Sequence, residues 1–279
     1  MKRVTIAVLL AAALLTACSK TEDHSVHGGV QSTAPEGHGQ HGAGGSAISA
    51  NDIKAIWKTG DGKAQAKQDI RLSVEIQDQS GKPVQSFDTN HEKKLHLIAV
   101  SKDLSYFSHI HPDYKGDGRF DVTTQFPAGG DYKLFADFIP TGGSAMTKSE
   151  WINVAGDAAK QVPVRADDSL TKSADGKEVT LAFDKLQASK EATLTFTIKD
   201  DRTKSPITNL EQYLGAVGHV VILTEDAEQY LHVHPMEEKA SGPEAKFMTT
   251  FPKSGVYKIW AQFQHEGKVL TVPFVVKVP

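Results

Sequence analysis

The chain has 279 residues, with 31 basic and 34 acidic side chains, a formal net charge of −3 and one cysteine. That balance excludes a basic footprint for nucleic acid and a polybasic membrane patch. Histidine is the biased residue, because the 12 copies fall in clusters.

Residues 1–17 read as a lipoprotein signal peptide. Lys2 and Arg3 are positive, Ile6 to Leu15 is apolar, and Leu15-Thr16-Ala17 sets small residues before Cys18. The apolar run falls short of the roughly twenty residues that a spanning helix needs. The expectation is a protein held at the cell membrane or outer membrane by a lipid on Cys18, with the remainder extracytoplasmic. With the only cysteine in the anchor, the mature domains can have no internal disulfide and no thiolate metal ligand. Residues 18–50 are Gly-, Ser-, Ala- and His-rich and read as a flexible tether. Its His24, His27, His38 and His41 suit weak metal capture as well as they suit a plain hydrophilic linker.

Beyond the tether, Ile70, Leu72, Val74 and Ile76 alternate with polar residues, as do Leu194, Phe196 and Ile198, the period of strands with one buried face. Turn signals such as Ser80-Gly81-Lys82-Pro83 and Ala128-Gly129-Gly130 punctuate such runs, and no long segment has a helical period. The chain also repeats. Pro83, His96, His109, His111 and Pro112 recur 123 residues later as Pro206, His219, His232, His234 and Pro235. After a two-residue insertion, Phe126-Pro127, Gly130 and Tyr132-Lys133 recur as Phe251-Pro252, Gly255 and Tyr257-Lys258. The reading is all-β: two tandem immunoglobulin-like β-sandwich domains, at 51–156 and 174–279, joined by a linker at 157–173. Gly-x-Tyr at Gly130-Asp131-Tyr132 and Gly255-Val256-Tyr257 matches a tyrosine corner, whose hydroxyl bonds back to the backbone.

The repeated histidines are the candidate site. If Asp103-Leu104 is a two-residue turn, His96 stands opposite His111, with His109 diagonal on the same face. Direct cross-strand partners have Cβ atoms about 5 Å apart, so three imidazoles would converge. A turn at Asp226-Ala227 would group His219, His232 and His234 in the same way, whereas a three-residue loop would break either pairing. Three imidazoles suit copper or zinc, which need three or four ligands at about 2 Å. Asp113, Met236, Glu237 or water could supply a fourth ligand. The alternative is that these histidines only hydrogen-bond loops. His91 and His265 have no counterpart in the other repeat and are secondary.

The motif set of Pro-[Val/Ile], a His thirteen residues on, His-x-His-Pro and Phe-Pro-x-x-Gly-x-Tyr resembles bacterial secreted proteins and lipoproteins with YtkA-like domains. The resemblance covers both repeats and implies export, a sandwich fold and a link to heavy-metal or copper handling. Two functions compete. One is a metal-binding lipoprotein that captures, buffers or passes on copper or zinc, with metal transport or sensor proteins as partners. The other is an immunoglobulin-like interaction module with structural histidines. An enzyme is not expected: a superoxide dismutase would need further ligands and normally a disulfide, and no Ser-His-Asp set, phosphate loop or carboxylate pair is visible.

Overall fold

The computed structural model describes residues 48–60 and 63–279. The expected signal peptide, Cys18 and the tether histidines lie outside the described residues. Within them no helix is long and apolar enough to cross a membrane.

Each repeat is an all-β, immunoglobulin-like sandwich of two sheets. In repeat 1 an outer sheet runs Ile53–Thr59, Ile70–Asp78, Arg119–Thr124, Asp113–Tyr114, and faces a second sheet ordered Phe87–Asp88, Gly130–Pro140, Leu95–Ser101, Phe107–Ile110, with Met146–Val154 also on Gly130–Pro140. In repeat 2 the outer sheet is Thr171–Ala174, Lys177–Phe183, Glu191–Asp200, Glu244–Thr250, His234–Pro235, and the second sheet is Tyr230–Leu231, His219–Thr224, Gly255–His265, Lys268–Val278. The alternating segments behave as their period requires. Ile70, Leu72, Val74 and Ile76 enter the first core, and Leu194, Phe196 and Ile198 the second.

Both tyrosine corners form. Tyr132 donates to Ala128 O at 2.9 Å and Tyr257 to Lys253 O at 2.7 Å, with both rings buried. Phenylalanine at either position keeps the ring and leaves a carbonyl without its donor. Tyr132→Phe and Tyr257→Phe should each cost about 1 kcal/mol, read from urea denaturation midpoints at unchanged slope.

The second sheets do more than close their own sandwiches. Along Leu95–Ser101, Leu95, Leu97 and Ala99 point into the core of repeat 1, while Ile98 and Val100 join a separate cluster with Phe135, Leu104, Val221, Leu223, Ala227 and Trp260. That cluster is the interface between the repeats. Strands buried on both faces read as continuous apolar runs without alternation, as Leu95 to Val100 does apart from its histidine. The interface has an approximate internal two-fold. Phe107 stacks on Trp260 with centroids 4.8 Å apart, and its counterpart Tyr230 lies 5.8 Å from Phe135. Lys258 donates to Leu104 O at 2.7 Å, and its counterpart Lys133, buried against Trp151, reaches Glu228 at 2.9 Å.

Candidate metal centre

At one end of this interface the two-fold brings together His96 and His219, equivalent residues on equivalent strands. Their rings stack with centroids 5.3 Å apart and planes 18° from parallel. The hairpin of repeat 1 adds two more imidazoles. Ile98 pairs with His109 and Leu97 with Ile110. The ladder ends there, in the register that a two-residue turn at Asp103-Leu104 requires, and the next residues, His96 and His111, have ring centroids 5.1 Å apart. Leu104 adopts a left-handed φ of 57° in that turn, and its N–H donates to Ser101 O at 2.8 Å. The ring of His109 lies 5.2 Å from His96, 4.7 Å from His111 and 4.6 Å from His219. One nitrogen each from His96, His109 and His219 falls within 4.8 Å of the others.

Hydrogen bonds fix the tautomer of His96. His96 Nε2 lies 2.8 Å from Asn90 O, which can only accept, so Nε2 carries the hydrogen and Nδ1 is a bare lone pair. His109 Nδ1 lies 2.7 Å from Gln262 Oε1, and the Gln262 amide nitrogen is engaged with Thr271 Oγ1 at 3.0 Å. Thr271 Oγ1 can accept or donate, so either nitrogen of His109 can carry the hydrogen. His96 Nδ1 and His109 Nε2 lie 3.0 Å apart, a hydrogen bond when His109 Nε2 carries the hydrogen and two facing lone pairs when it does not. Beside them, His219 Nε2 and His111 Nε2 are buried and find no hydrogen-bond partner among the described residues.

A positive charge on the cluster is disfavoured. Burial pulls His96 and His111 to about 4 and His109 to about 3, the last also through the charge His96 would carry. His219 is held well below the ordinary histidine value, first by burial and then by the surrounding imidazoles. At neutral pH the cluster is a set of neutral donors, the form that binds metal. Tetrahedral nitrogen ligands at 2.0–2.1 Å sit about 3.3 Å apart, so the His96–His109 pair would open by only a few tenths of an ångström around an ion. Asn90 O and Gln262 Oε1 orient the rings from behind, as partners of metal-bound histidines do.

The backbone makes room for this. A Cβ on Gly218 would meet Gln262 O at 2.6 Å and the Phe263 ring at 2.7 Å, so glycine lets His219 and Gln262 pair across the ladder. A tight turn at Asn90-His91-Glu92-Lys93, with φ of 45° at His91 and 64° at Glu92, sets the His91 ring 5.5 Å from His219 and 6.3 Å from His96. Non-glycine residues rarely adopt this backbone, and such strain concentrates at functional sites.

The expected second trio is not assembled. The strand after Asp226-Ala227 ends at Leu231, and His234 pairs with Met248 in the outer sheet, exposed. His232 is pulled away as well, its carbonyl accepting from Thr249 Oγ1 at 2.9 Å and its Nδ1 lying 3.9 Å from Asp137. His219 instead joins the histidines of repeat 1. Among the proposed fourth ligands, Asp113 is exposed and paired with Lys115 at 3.2 Å, Met236 is 55% exposed and Glu237 is exposed. His265 stands apart, with Nε2 3.1 Å from Asn209. Gln262 and the placement of His91 escaped the sequence reading. The unalternating runs Leu95 to Val100 and His219 to Leu223 were the available signal, since such strands need a partner on each face.

Among solved structures, the Escherichia coli adhesin FdeC is 16% identical with a TM-score of 0.29, the alignment covering 84% of this chain and 66% of that one. The Yersinia pseudotuberculosis adhesin InvE is 12% identical with a TM-score of 0.26, over 84% of this chain and 61% of that one. Invasin, a bacterial integrin-binding protein, is 15% identical with a TM-score of 0.24, over 80% of this chain and 39% of that one. The chain therefore spans about two thirds or less of each. No curated protein matches the sequence. A family model described as a domain of unknown function, DUF8832, matches residues 49–156 and again 172–279, and the chain belongs to that family as a tandem pair.

Proposed function

We propose that this is a metal-binding protein of the cell envelope, anchored by lipid on Cys18, whose histidine cluster between the repeats captures, buffers or passes on copper or zinc. The observation that carries this reading is the convergence of one nitrogen each from His96, His109 and His219 within 4.8 Å of one another, in a buried cluster of imidazoles. His219, with a third convergent nitrogen, completes a donor set that no single repeat holds. The resemblance to YtkA-like domains points the same way. A transport or sensor protein would receive or deliver the ion.

Chelator-stripped protein titrated with Cu(II), Cu(I) or Zn(II) should bind one ion per chain and melt higher. Free ion at a hundred times Kd stabilises by about 2.7 kcal/mol, roughly 5–10 °C for a domain pair of this size. The tandem immunoglobulin-like architecture favours a second reading, an interaction module whose histidines only hold the interface. That reading predicts no shift with any of the three ions.

A further inference from the structure

The charge balance of the cluster bears on which ion it takes. Every ring in it, from His91, His96, His109, His111 and His219, is an imidazole, offering a lone pair and no charge. Among charged side chains, Lys93 acts on His96 and His111, while Glu238 acts on His91 alone. Among the described residues the one buried carboxylate, Asp137, is the ladder partner of His96, but its contacts go to Thr147 and His232. The base of the centre is also buried, where His96 is 1% exposed.

The cost of moving an ion out of water grows with the square of its charge, so a divalent ion costs about four times as much as a monovalent ion of similar size. Neutral imidazoles offset the first charge by donation but bring no anion for the second. Three converging nitrogens also suit Cu(I), which accepts two or three ligands, better than Zn(II), which takes four. We propose that the centre holds monovalent copper, Cu(I), in preference to Cu(II) or Zn(II), an inference that rests on the metal-centre reading above.

The internal two-fold supplies a comparison. Behind His109 stands the neutral amide of Gln262, and at the equivalent place behind His232 stands the carboxylate of Asp137. Gln262→Glu would therefore put a carboxylate in a position this fold already accommodates, and it would add the anion a divalent ion lacks.

The test is an anaerobic titration of the chelator-stripped full chain with Cu(I) against bathocuproine disulfonate, alongside Zn(II) and Cu(II) against their own chelators. One Cu(I) per chain should be held on the order of a hundredfold more tightly than either divalent ion. Gln262→Glu should narrow that ratio about tenfold by strengthening Zn(II). Zn(II) or Cu(II) bound as tightly as Cu(I) by the natural chain overturns the Cu(I) assignment and leaves the metal centre standing. No ion bound at all overturns both. His109→Gln, checked for folding by circular dichroism, should release the Cu(I), and undiminished uptake there would put the ion elsewhere and overturn the assignment.

Discussion

Replacing His219 by alanine should weaken metal binding by two to three orders of magnitude, about the same loss as His96→Ala or His109→Ala, although His219 lies in the other repeat. The reason is geometric. His219 offers the third nitrogen within 4.8 Å of those of His96 and His109, and its Nε2 has no hydrogen-bond partner among the described residues. His232→Ala and His234→Ala should leave affinity and stoichiometry unchanged, since one faces Asp137 and the other sits exposed on the outer sheet. Two independent trios would give the opposite pattern: two ions per chain, with His219 and His232 equally needed for the second. Competition titrations of the four variants decide between these arrangements. A chain that binds its ion with undiminished affinity after His219→Ala would rule out a shared centre.

Acid should destabilise the metal-free protein by several kcal/mol well before its carboxylates are protonated. Burial holds His96 at about 4 against an ordinary value of 6.5. As pH falls through 6.5 the unfolded chain takes up protons that the folded chain refuses, so stability is complete above that value and declines until the folded value is reached. For His96 alone the loss by pH 4 is on the order of 3 kcal/mol. His111, also at about 4, and His109, at about 3, add to the same window. Urea denaturation of chelator-treated protein at several pH values between 7.5 and 4 measures the slope. His96→Gln, which has no proton to gain there, should flatten it. A midpoint that stays constant down to pH 4.5 would mean the cluster is not buried as described.

Much of this was legible in the residues. Period-two runs such as Ile70 to Ile76 announce half-buried strands, and the 123-residue offset announces two copies of one sandwich. The Asp103-Leu104 turn set the register of the first hairpin correctly, because turn length and strand period together leave little choice. What stayed hidden depends on a packing decision between copies. Nothing local in His219-Val220-Val221-Ile222 says whether its second face meets solvent, a loop or the other repeat. The same holds for Gln262, which in isolation is one polar residue in an apolar strand. The second trio failed through a small divergence: Thr249 ties the His232 carbonyl to the outer sheet, and the strand crosses over before its histidines reach His219.

Because the donor set draws on both copies, its completion is also an event in the life of the chain. While the second sandwich is still unfolded, a strand such as Leu95–Ser101 can hold His96 near His109, yet His219 and Gln262 are absent. The last strand, Lys268–Val278, carries Thr271, which orients Gln262 behind His109. The full centre therefore arises only after that strand has docked, so on the proposed reading high-affinity loading would wait for both repeats to fold. A nascent or truncated polypeptide would leave the ion to other ligands.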